Sequence, residues 1–86
     1  MFDDVDDVKT FGDELANVMR TLNENDLYHE LVNWREQFFT TQSEQFGQFK
    51  NILLRILEIE GLSKTIKIKI KKCIQMINKI FWSRKG

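Results

Sequence analysis

Few side chains in this sequence could carry out a reaction, and they are not spaced to act together. His29 is the only histidine and Cys73 the only cysteine. A catalytic cysteine needs a base within hydrogen-bond reach of its sulfur. His29 instead falls on the polar side of one periodic segment and Cys73 on the apolar side of another. A free cysteine on an apolar face behaves as a small hydrophobe, so Cys73 reads as core and His29 as a solvated surface residue. Asp3, Asp4, Asp6 and Asp7 invite a calcium reading. Their spacing lacks the glycine and distal glutamate of a calcium loop, and acids suit the start of a helix better. Glu58 and Glu60 flank a helix end rather than a pocket. The sequence has no glycine-rich phosphate loop and no His, Cys and carboxylate set with metal-ligand spacing. The expectation is a protein that is not an enzyme and uses no metal or cofactor.

Binding chemistry is better represented. Residues 61–86 hold 8 basic residues and no acid, while residues 1–60 hold 13 acidic and 5 basic ones, so a net charge of zero conceals −8 followed by +8. Lys64, Lys67, Lys69, Lys71, Lys72 and Lys79 could contact phosphates of a nucleic acid. Arg84 is the only arginine of that segment. Arginine dominates specific base contacts, so binding of this kind is expected to be non-specific. The acidic remainder of the chain would repel the same backbone. The bland alternative is that the two ends attract one another, within one chain or between chains. A membrane surface is the weakest option. The basic segment ends in Phe81-Trp82 like an interfacial anchor, but its apolar arc is also needed to cover a neighbouring helix.

The elements that must position these residues are helical. Eighty-six residues without proline and with 4 glycines suit one small domain of long helices and short turns. Val8, Phe11, Leu15, Val18, Met19 and Leu22 recur at three- and four-residue steps, predicting a first helix over about 4–22. Asn23-Glu24-Asn25-Asp26 should end it and cap the next, making the two antiparallel neighbours. From Leu27 onward, Leu31, Trp34, Phe38, Phe49, Ile52, Ile56 and Ile59 share one side of a helical wheel, and Tyr28, Phe39, Phe46, Leu53 and Leu57 widen it to about half the circumference. The phase survives the polar run Thr40-Thr41-Gln42-Ser43, which predicts one continuous helix over about 26–60. Thr41 with Glu44 also fits a capping box, giving the alternative of a break near Thr40–Ser43 and a four-helix monomer. Gly61 and Ser63 suit a helix end and a helix start. Ile66, Ile68 and Ile70 alternate as in a strand, yet Ile66, Ile70, Cys73, Ile74, Ile77, Ile80 and Phe81 form one helical arc backed by lysines. A lone strand would have no partner, so a third helix is predicted over about 63–82.

This all-α chain would have the first helix cover the front half of the long central one and the third helix cover the rear. A continuous central helix of about 50 Å would still expose aromatic surface. A second copy is the simplest cover, so a homodimeric antiparallel bundle is expected with Trp34, Phe38, Phe39, Phe46 and Phe49 near the interface. Ile68, Gln75 and Trp82 share an outward stripe of the third helix and form a second contact surface. The favoured function is therefore a small protein–protein interaction module, an adaptor or inhibitor. A lone cysteine, an acidic N-terminus and no apolar run of membrane-spanning length favour a cytoplasmic setting. The abundance of Ile, Lys, Asn and Phe is consistent with an AT-rich phage or viral source.

Overall fold

The computed structural model describes residues 5–81, with side-chain surroundings for residues 7–80. Four α-helices follow in order, α1 (Val5–Thr21), α2 (Asn25–Glu36), α3 (Gln42–Ile56) and α4 (Lys64–Phe81), and no strand occurs among the described residues. The all-α expectation is met. The chain divides between Phe39 and Thr40 into two compact units, one holding α1 and α2 and the other α3 and α4.

In the first unit α1 packs against α2. Val8, Phe11, Leu15 and Met19 bury one face of α1, and Leu27, Leu31 and Trp34 one face of α2, both at the three- and four-residue steps that align side chains along a helix. The reversal between them is built on Asn23, whose φ of 63° lies in the left-handed region. Its N–H donates to the Arg20 carbonyl at 3.2 Å, and the Glu24 N–H reaches back to the Met19 carbonyl at 2.8 Å. Both bonds satisfy carbonyls that a helix end leaves orphaned, and asparagine tolerates this conformation better than most residues. α2 then starts at Asn25, and its N-cap residue Glu24 makes no side-chain cap bond. On the surface, Arg35 Nε pairs with Asp13 Oδ1 at 3.2 Å across the two helices.

In the second unit α3 packs against α4. Phe46, Phe49, Ile52, Leu53 and Ile56 are buried from α3, and Ile66, Ile70, Cys73 and Ile77 from α4. The alternating isoleucines therefore lie on a helix, as the wider arc requires, with Ile66 and Ile70 inward and Ile68 outward. Lys50 Nζ donates to Asn78 Oδ1 at 2.7 Å, tying the middle of α3 to the late turns of α4. Between the helices Gly61 has a φ of 89°, and a Cβ there would meet no atom within 4 Å, so backbone conformation alone calls for glycine. The Ser63 hydroxyl accepts from the Ile66 N–H at 3.2 Å and caps α4.

The continuous helix over 26–60 is not observed; the chain breaks where the alternative placed the break. Gln37 turns extended (φ −74°, ψ 144°), and α3 restarts with Thr41 as N-cap, its side chain accepting from the Glu44 N–H at 3.1 Å. Two effects outweigh the conserved phase. Phe38-Phe39-Thr40-Thr41 is a run of aromatic and β-branched residues with poor helix propensity, and a threonine cap contributes about 1 kcal/mol. The match in phase carries no physical weight, because α2 and α3 each align to a different neighbour. The count among the described residues is accordingly four helices rather than three, with α1 against the front part of the expected central helix and α4 against its rear part.

Candidate functional site

The residues singled out for chemistry stand apart. His29 is exposed, its ring meeting that of Tyr28 edge-on at 5.5 Å. Cys73 is fully buried between α3 and α4, and burial pushes its thiol pKa up to about 12. A thiol so placed stays protonated at neutral pH and is a poor nucleophile. Glu58 and Glu60 are exposed beyond the end of α3. No group of three or more His, Cys, Asp or Glu among the described residues could hold a metal ion. No described helix is long and apolar enough to cross a membrane.

Two surfaces remain. The first is the pair Phe38-Phe39, at the end of the first unit. Of the five aromatic residues expected near an interface, Trp34, Phe46 and Phe49 are buried within the single chain and need no second copy for cover. Phe39 is half-buried, its ring 6.5 Å from that of Trp34 and tilted by 48°. Phe38 is 90% exposed. One phenylalanine is thus held beside Trp34 while its neighbour projects into solvent. Sequence periodicity grouped these five together because it assumed a helix through residues 37–41.

The second surface is the outer face of α4. At 100° per residue, Ile68 and Gln75 fall about 20° apart on one line opposite the buried arc, separated along the axis by about 10 Å. Lys64 and Lys71 lie about 30° and 50° to one side of that line, and Lys79 and Lys72 about 30° and 50° to the other. All six side chains are exposed, and Ile68 retains 47% exposure. Lys67 is half-buried, and Lys69 is exposed further round the helix. Trp82, expected on the same stripe, and Phe81's side chain lie outside the described residues. Ile68 and Gln75 thus share one exposed line of α4, with cations on both of its flanks.

Lys79 in the last turn suits the helix dipole, but the cations at the start of α4 do not serve the helix. Lys64 and Lys67 occupy the first turn, where the dipole disfavours cations. Lys64–Lys67, Lys67–Lys71 and Lys69–Lys72 are like-charged pairs at three- and four-residue spacing, together costing about 1 kcal/mol. The helix has no acid of its own to offset them. The charge also segregates by unit. Residues 1–39 carry 10 acidic and 3 basic residues, and residues 40–86 carry 3 acidic and 10 basic, so the units hold −7 and +7.

No protein-family model matches this chain, and neither does any curated protein or solved structure.

Proposed function

We propose that this chain is a non-enzymatic helical protein–protein interaction module whose docking point is the Phe38 segment. The observation that supports it is the 90% exposure of Phe38 beside Phe39, whose ring lies against Trp34. Large aromatic side chains held on a rigid support are the typical anchors of interfaces. Burying Phe38 against a partner contributes about 2–3 kcal/mol. Association costs at least about 4 kcal/mol in lost freedom, so one phenylalanine makes a weak, transient contact and a tight one needs further surface.

The simplest partner is a second copy, with the two Phe38 side chains meeting about a twofold axis. Light scattering on the wild type and on Phe38→Ser over a concentration series tests this form. The expected result is a wild-type mass that rises toward that of a dimer while the variant stays monomeric. If both stay monomeric, the partner is a different protein. A photo-crosslinker in place of Phe38 would then capture it in the protein's own cells, and the absence of any adduct there ends the reading.

A further inference from the structure

We propose that the outer face of α4 is a duplex-DNA-binding surface, with its lysines on the phosphates and Gln75 and Ile68 directed at base edges in the major groove. The proposal is independent of the Phe38 contact and lies in the other unit. Its support is the layout of the face: a central line of one amide and one aliphatic side chain, with two exposed lysines on either side. A groove has the same cross-section, with base edges at the floor and a phosphate strand along each rim. The lysines from Lys64 to Lys79 span about 22 Å of helix axis, and an α-helix fits the major groove of B-form DNA.

The scarcity of arginine leads to an expectation of non-specific binding, but the central line adds a base preference that does not depend on arginine. Glutamine can bond an adenine in bidentate fashion, and an aliphatic group contacts the thymine methyl, so both favour A·T pairs. Of the chain's neutral total, +7 belongs to the unit that carries α4 and −7 to the other. A membrane surface would need the apolar arc of α4, and Ile66, Ile70, Cys73 and Ile77 are buried against α3. Double-stranded RNA is excluded by the narrowness of its major groove.

The test is fluorescence anisotropy of the full chain with labelled duplexes of about 20 base pairs, one A·T-rich and one G·C-rich, at several salt concentrations. Four phosphate contacts predict a log–log salt slope of about −3.6, or roughly a 100-fold loss of affinity for a fourfold rise in salt. Lys71→Glu with Lys72→Glu should weaken binding at least about tenfold and flatten the slope by about 2. Gln75→Ala should leave the slope alone and erase the A·T preference. Both sets of changes are on exposed positions, and circular dichroism checks the fold. Should the double variant misfold, Lys64→Gln with Lys79→Gln reads the same face. The proposal is overturned by any of four results: no binding at low salt, unchanged affinity in the lysine variants, equal affinity for the two DNA duplexes, or equal competition by duplex RNA or polyglutamate.

Discussion

The two helical hairpins solve the same packing problem with opposite charge. Each lays one apolar helix face on another at three- and four-residue spacing, and each turns through one left-handed residue, Asn23 in the first and Gly61 in the second. Yet the first holds −7 and the second +7. An architecture reached equally well from either balance does not need that balance. The packing of the hairpins therefore does not dictate the charge balance, which is what the proposed binding face of α4 requires.

The largest expected effect on this comparison comes from the cores. Trp34→Ala and Phe49→Ala should each cost about 3–5 kcal/mol. In hydrogen exchange, Phe49→Ala should deprotect α3 and α4 first, and Trp34→Ala should do so for α1 and α2. Equal loss throughout the chain in both variants would mean the hairpins unfold as one body. The middle-sized effect separates the two turns. Gly61→Ala places a Cβ at positive φ and should destabilise by about 1–2 kcal/mol, whereas Asn23→Gly relieves a mild penalty and should stabilise by a few tenths. Chemical denaturation reads both, and a stabilising Gly61→Ala would contradict the turn geometry. The smallest effect belongs to the pair Asp13–Arg35, whose side chains are 57% and 42% exposed. Asp13→Asn should shift stability by no more than about 0.5 kcal/mol, and a larger change in the same denaturation curve would show that the first hairpin depends on charge.

How much of this was legible beforehand follows from which signals were local. The buried faces of all four helices stand in the spacing of residues such as Val8–Phe11–Leu15 and Ile70–Cys73–Ile77, and so did the pairing of the helices. The Ser63 and Thr41 caps were visible as residue types at the right offset. The break at residues 37–41 was outweighed by a helical phase that continues across it by coincidence, since Leu31 and Phe49 face different partners. From that error came the grouping of Phe38 with Trp34 and Phe49, although one is in solvent and the others are in the core. The symmetric flanking of Ile68 and Gln75 by lysines was within reach of a wheel, but the acidic half of the chain argued against a polyanion. Only the division between Phe39 and Thr40 shows that 10 of the 13 acids belong to the other unit.

The burial of Cys73 has a practical corollary. Because that sulfur is shut inside the α3–α4 hairpin, folded copies cannot reach each other to form a covalent link, even in air. A cross-linked species on a non-reducing gel would therefore record opening of that hairpin, and it should never be counted as evidence for assembly.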